Sequence, residues 1–193
     1  MSLFDFAFGL SAVILGLGLA EMASRFQQLV FAGRRVKWAP EPVLLALVLF
    51  SVIIVVWLGS WRDHQMHQTT VGQVMLQVAS IILPYMVAAA VFPHVREDGA
   101  LDLHHYYDQN RRFLFGLLLA GQLVFWVIQV GRRADTIQGL DQWVRVLATS
   151  APYYSVVPYA ALMFVRWRWF NVAALLLVLL VFAPRAMMGR LVG

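Results

Sequence analysis

The residues best suited to chemistry are polar side chains inside long apolar stretches of the sequence. Glu21 is the only acidic residue well inside such a stretch, and Arg25 follows it by four positions, about one helical turn. A carboxylate at this depth can bind a proton or a cation, whereas an ion pair with Arg25 near the membrane edge would make it structural. Gln28 continues the same helical face. Glu21, Arg25 and Gln28 are therefore candidate interior residues, with both roles open.

Three further apolar stretches carry polar residues that indicate their inner faces. Two of them space these residues by four and three positions, which keeps them on one side of a helix, and the third places tyrosines around Pro152 and Pro158. The candidate interior residues are Gln73, Gln77 and Ser80, then Gln122, Trp126 and Gln129, then Tyr153, Tyr154 and Tyr159. Their side chains can line a path for a polar solute or join helices by hydrogen bonds.

The histidines of the sequence do not predict a metal or haem site. All five lie between positions 64 and 105, and none is deep in an apolar stretch, where the axial ligands of a membrane haem are needed. His104, His105 and Asp108 come nearest to a metal site, because His104 and Asp108 share a helical face, but the ligand set is incomplete. We expect solvated histidines and no cofactor.

The composition predicts an all-α, polytopic membrane protein. Of the 193 residues, 61% are hydrophobic and 13% are charged, whereas soluble domains carry roughly 25% charged residues. A membrane-spanning helix needs about 20 apolar residues, and the sequence contains six such stretches. The predicted spans are 4–31, 43–61, 71–92, 112–131, 146–165 and 168–188. Residues 1–193 are thus predicted to form a single integral membrane domain.

The distribution of polar and small residues predicts how these spans pack. Spans 2 and 6 are almost continuously apolar, so we expect them to face lipid, while spans 1, 3, 4 and 5 surround a polar interior. Small residues recur at every fourth position of the first span, at Ala12, Gly16, Ala20 and Ser24. Such a stripe allows close helix contact, either within the chain or along the seam of a homo-oligomer.

The basic residues predict the orientation in the membrane. Nine Lys and Arg residues lie in or beside the first, third and fifth connections, and six lie on the other side. Because cytoplasmic loops are enriched in these residues, both termini are predicted to be periplasmic. The odd-numbered connections are also rich in aromatic residues. This pattern fits three helical hairpins derived from one repeated unit, and it fits equally the separate origin of similar basic and aromatic connections at the membrane edge. Anionic lipid, rather than nucleic acid, is the expected counter-charge.

Several short segments carry a family resemblance. They are Leu17-Gly18-Leu19-Ala20-Glu21, Asp102-Leu103, Tyr106-Tyr107, Asn110-Arg111-Arg112-Phe113 and Phe115-Gly116-Leu117. With these segments the chain resembles short, uncharacterised six-span proteins of the bacterial inner membrane. The resemblance implies a bacterial inner-membrane location, and it implies no activity.

The sequence favours a function without covalent chemistry. It contains no phosphate-binding loop, nucleophile elbow, metalloprotease motif or dinucleotide fingerprint, and it has no cysteine. A transport or channel-like role for a small solute or ion explains the polar stripes. The alternative is a partner-binding or sensory membrane subunit of a larger complex, and a lipid-modifying enzyme ranks third because no nucleophile is found.

The charge asymmetry gives a testable topology. A reporter that is active only in the periplasm should be active when fused after Gly193, and one fused near Arg112 should be inactive. Paired reporters that work only in the cytoplasm provide the matching measurement. Cytoplasmic activity of the fusion after Gly193 would invert the orientation.

Overall fold

A computed structural model describes residues 3–62, 71–95, 100–131, 139–150 and 152–188, and this part of the chain is all-α. The helices are α1 (Leu3–Ala32), α2 (Pro40–Arg62), α3 (Val71–Ala90), α4 (Leu103–Gly131), α5 (Leu140–Ser150), α6 (Tyr153–Phe164) and α7 (Arg168–Met188). A short 3-10 helix (Gly33–Arg35) follows α1. Two short strands, β1 (Val36–Lys37) and β2 (Leu101–Asp102), precede α2 and α4.

The helices have the apolar character of a membrane protein. Three segments are long and apolar enough to cross a bilayer, namely Phe8–Arg35, Pro40–Leu58 and Leu103–Gly131. Shorter apolar segments cover Met75–Ala90, Ser155–Phe164 and Arg168–Val181. The described residues therefore contain three helices of spanning length, and length alone does not confirm the predicted count of six.

The predicted fifth span, 146–165, is divided into two helices by Pro152. Proline has no amide hydrogen and disfavours helical geometry in the residue before it, so α5 ends at Ser150 and α6 begins at Tyr153. The carbonyl oxygen of Pro152 accepts hydrogen bonds from the backbone N–H groups of Ser155 and Val156, at 3.0 and 2.9 Å. The 12 residues of α6 extend only about 18 Å.

The position of α2 corrects the expectation that span 2 lies outside the polar spans and faces lipid. Leu45, Val48, Leu49 and Ile53 of α2 are buried in the core, and α2 packs against α7 and contacts α1, α3 and α4. Buried residues of α7 face the same core. A uniformly apolar helix suits a protein interior as well as a lipid environment, so the missing polar residues could not distinguish the two.

Glycines allow close contact between helices at positions other than the predicted stripe. A Cβ atom on Gly18 of α1 would lie 3.2 Å from the ring of Tyr85, and one on Gly121 of α4 would lie 3.4 Å from Leu83. Both neighbours belong to α3, which packs against α1 and α4. Gly16, by contrast, faces open space among the described residues. The homo-oligomer seam along its stripe stays a prediction.

The strands join two connections at one end of the bundle. β1 and β2 pair in parallel, with Val36 opposite Leu101 and Lys37 opposite Asp102. The Asp102 carboxylate then accepts hydrogen bonds from the backbone N–H groups of His104 and His105, at 3.0 and 3.1 Å, and so caps the start of α4. The bond from His105 is the largest cause of the lowered pKa of Asp102.

Side chains from neighbouring helices bind the carbonyl groups at the ends of α3 and α6. The Arg25 guanidinium donates to the Phe92 carbonyl at 3.1 Å, and the Tyr106 hydroxyl donates to the Ala90 carbonyl at 2.7 Å. Arg111 donates to the carbonyl oxygens of Val165 and Phe164, at 2.7 and 3.3 Å.

These contacts gather the ends of α1, α3 and α6 with the starts of α2, α4 and α7. We call this part of the molecule the basic end, defined by Arg34, Arg35, Lys37, Arg111, Arg112, Arg166 and Arg168.

Arg111 provides a test of this packing because its neighbour is a matched control. Arg111 is 2% exposed, whereas Arg112 is exposed. Arg111→Met should lower the free energy of unfolding by about 2 kcal/mol, since it removes charged donors from two carbonyl groups. Arg112→Met should change it by less than about 0.5 kcal/mol. Thermal unfolding in detergent measures both, and equal effects would contradict the role of Arg111.

Candidate functional site

Among the described residues, the acid that the fold buries completely is Glu41, in the first turn of α2. Its side chain is 0% exposed, and its Oε1 atom lies 2.8 Å from Nε of Arg168 and 3.2 Å from Nδ1 of His104. Arg168 begins α7 and His104 lies in the first turn of α4. One carboxylate therefore contacts the first turns of two other helices.

The local sequence and the basic surroundings explain why Glu41 is stable there. The start of a helix carries a partial positive charge, which favours a carboxylate in the first turn. A buried charge is still costly unless it is paired, and here the partners come from α4 and α7. Since both partners are about half exposed, at 43% for His104 and 52% for Arg168, the group reaches from the core to the surface.

Two buried polar residues lie one helical turn beyond these partners. Tyr107 follows His104 on α4, and Asn171 follows Arg168 on α7. The Tyr107 hydroxyl, Oδ1 of Asn171, Nδ1 of His104 and both carboxylate oxygens of Glu41 have no hydrogen-bond partner among the described residues, so the close contacts of Glu41 Oε1 lack hydrogen-bond alignment. Because buried polar atoms are nearly always paired in folded proteins, this group has the capacity to bind water or a small polar ligand. We call Glu41, His104, Tyr107, Arg168 and Asn171 the acid cluster.

A second polar region lies in the interior between α2, α3, α4 and α6. A cavity of about 90 Å³ is lined by apolar residues of these helices together with Ser80, Gln122 and Tyr159, and this volume exceeds the space that a single water needs. Pro84 also lines it. Since proline provides no amide hydrogen, the carbonyl of Ser80, four residues earlier, lacks its usual helical donor. The cavity thus has polar groups from three helices.

A buried phenylalanine connects the acid cluster with this cavity through ring contacts. The ring of Phe115 lies 6.1 Å from that of Tyr107, which belongs to the cluster, and 6.2 Å from that of Tyr159, which lines the cavity. All three residues are buried. Phe115 therefore contacts one aromatic residue of each polar region.

The structure places the Glu21 pair at the surface between α1 and the end of α3. Nε of Arg25 lies 2.7 Å from Oε1 of Glu21, whose side chain is 41% exposed. Arg25 also binds the Phe92 carbonyl. The sequence singled out Glu21 as the acid with a costly position, but the fully buried acid is Glu41, which was assigned to a connection.

The other predicted interior residues are dispersed. Gln77 and Gln129 are partly buried, Gln28 is exposed, and the side chains of Gln73 and Tyr154 lie outside the part of the chain that the structure describes. Trp126 and Tyr153 line a separate apolar groove of about 460 Å³ between α4, α5 and α6. The structure thus brings together Ser80, Gln122 and Tyr159 but not the complete set.

The histidines and Asp108 have separate partners. His105 lies 2.9 Å from the side-chain nitrogen of Gln109, and Asp108 lies 3.4 Å from Nε of Arg111 and 4.0 Å from Nε of Arg166. Among the described residues, no three His, Asp or Glu side chains are grouped as a metal site requires.

Two sequence signals could have indicated the residues that were missed. Glu41 lies between two prolines shortly after three basic residues, and Asn171 is a polar residue near the start of a continuously apolar stretch. An isolated charge or amide in such a context is expected to have a partner elsewhere in the fold.

Comparisons with protein-family models, with curated proteins and with solved structures found no match to this chain. Its structure and sequence therefore carry the functional argument.

Replacement of each acid by its amide should distinguish the two ion pairs. Glu41→Gln should lower the free energy of unfolding by about 1 to 3 kcal/mol, because it removes the charged acceptor from a buried group. Glu21→Gln should cost no more than about 1 kcal/mol, because its pair is partly solvated. Unfolding in detergent measures both. A larger loss for Glu21→Gln would contradict the assignment of Glu41 as the structural acid.

Proposed function

We propose that the chain is a six-span protein of the bacterial inner membrane with both termini in the periplasm. At about 1.5 Å per residue, α3 and α7 have lengths of about 30 Å, close to the thickness of a bilayer core. Six helix ends gather at the basic end, as expected for successive helices that cross in alternating directions. The excess of basic residues favours the cytoplasmic side for this end.

The fifth crossing in this arrangement uses α5 and α6 together. α6 is too short to cross alone. Leu140, Val144 and Leu147 recur on one face of α5, while Asp141 and Arg145 lie elsewhere on it, so α5 suits the membrane surface. The break at Pro152 then directs the chain from the surface into the core.

We further propose a transport or channel-like function for a small polar solute or ion. The observation that carries this proposal is the pair of ring contacts by which Phe115 connects Tyr107 of the acid cluster with Tyr159 of the cavity. Amide and hydroxyl groups of Gln122, Ser80 and Tyr159 can replace part of the hydration shell of a solute. An apolar constriction between two polar regions is a common form of gate, and we assign this role to Phe115.

The apolar groove between α4, α5 and α6 favours a second candidate function, that of a partner-binding or sensory subunit. Its walls carry Leu123, Trp126, Val144, Leu147 and Val156, and this lining suits an apolar helix of another membrane protein. In this case the cavity and the acid cluster would serve packing only.

Phe115→Ala tests the gate directly. Loss of the ring should connect the two polar regions, so uptake of small solutes and ions into vesicles that contain the variant should exceed uptake with the parent protein. Phe113→Ala is the matched control on the same helix, because Phe113 is 51% exposed. Equal uptake by the parent and both variants would contradict the gate.

Cysteine labelling supplies an independent readout. The chain has no natural cysteine, so Gln122→Cys should react with a small water-soluble thiol reagent, and the reaction should be faster when combined with Phe115→Ala. An inert thiol in both backgrounds, with folding intact, would favour the partner-binding function.

A further inference from the structure

The turn between α6 and α7 combines exposed indoles with arginines. Trp167 and Trp169 are 68% and 75% exposed, and they alternate with Arg166 and Arg168. Exposed tryptophans are favourable at the headgroup level of a bilayer, where one part of the ring contacts apolar groups and the N–H stays solvated. The two indoles therefore place the neighbouring guanidinium groups at the depth of lipid phosphates.

Arg168 is anchored at one edge and open at the other. Its Nε contacts Oε1 of Glu41, whereas no contact with another described residue involves its two terminal nitrogens. Glu41 is fully buried in the first turn of α2 and holds this edge of the guanidinium by an ion-pair contact. The remaining edge carries N–H donors in the fork geometry that suits two oxygens of one phosphate.

Nearby groups make this position electropositive. His104 contacts the same Glu41 oxygen as Arg168, so the two side chains are neighbours. Arg166 is exposed and lies 4.0 Å from Asp108, which also faces Arg111. Three arginines thus face two carboxylates in this region before any charge on His104 is counted, so an anion is attracted.

We propose that Arg168, together with Arg166 and His104, binds the phosphate of an anionic phospholipid, and that Glu41 is the positioning residue for Arg168. The exposed leucines of α7, Leu176, Leu177 and Leu180, offer an apolar surface for the acyl chains. This surface and the two indoles favour a lipid over a free phosphate. The inference rests on the proposed membrane location but not on the proposed solute path.

The test measures lipid binding to the full-length chain in a neutral detergent. Phosphatidylglycerol and phosphatidylcholine with identical acyl chains are titrated separately, and inorganic phosphate forms a third series. Bound lipid is counted by native mass spectrometry, and stabilisation is followed by thermal unfolding. We expect phosphatidylglycerol to bind about tenfold more tightly than phosphatidylcholine, and inorganic phosphate to give no stabilisation.

Variants separate a specific site from general surface charge. Arg168→Gln should abolish the preference for phosphatidylglycerol, and Arg168→Lys should reduce it, because an ammonium lacks the fork. Lys37→Gln is the control, since Lys37 is an exposed cation at the same end of the bundle. The double variant Glu41→Gln/Arg168→Gln removes both charges of this ion pair. It therefore tests the loss of lipid binding without leaving the buried Glu41 carboxylate unpaired.

The role of Glu41 has its own readout. Glu41→Gln retains the charge of Arg168 but loses its anchor, so binding should weaken about tenfold and become more sensitive to salt. Rescue by Glu41→Asp would support positioning. Unchanged lipid binding in Glu41→Gln would show that Glu41 does not position Arg168.

Three results would overturn the site itself: equal losses for Lys37→Gln and Arg168→Gln, equal binding of the two lipids, or equal stabilisation by inorganic phosphate. Extraction of the chain from membranes and the uptake assays test the proposed function separately.

Discussion

Helix ends expose backbone groups that need partners from elsewhere in the fold, and this constraint organises the basic end of the bundle. The last carbonyl groups of a helix have no partner within that helix, and an apolar environment makes each unpaired group costly. Arg25, Tyr106 and Arg111 supply donors to these carbonyl groups from neighbouring helices. The same hydrogen bonds join neighbouring helices. Each one therefore pairs a carbonyl group at a helix end and also stabilises the packing of the bundle.

At the starts of the helices, the buried Glu41 carboxylate has a similar role in joining neighbouring helices. Its carboxylate contacts residues of α4 and α7, and its charge balances part of the basic end. Because a buried charge requires its partners, the relative positions of three helix starts depend on one side chain. The proposed lipid site uses the exposed edge of the same ion pair, so the interaction that stabilises the fold also presents a cation to the surface.

The polar stripes of the sequence were a partial guide to the interior. Ser80, Gln122 and Tyr159 do line one cavity, since each lies on the inner face of its helix. Gln28 is exposed, and Trp126 and Tyr153 line a groove elsewhere, because a helical stripe indicates a face without saying which neighbour covers it. Glu41 was missed for a related reason: its position in a connection suggested solvent, while partners from distant parts of the chain enclose it.

The sequence by itself determined the all-α class and the apolar character of the helices, because hydropathy acts locally along the chain. Only the tertiary structure decided that one face of α2 packs in the core, that Arg111 and Glu41 are buried, and that Phe115 contacts residues of two polar regions. An apolar helix is equally stable against lipid and in a protein interior. The contribution of a charged side chain to stability depends on partners that are far away in sequence. Those distinctions arise only when the helices pack.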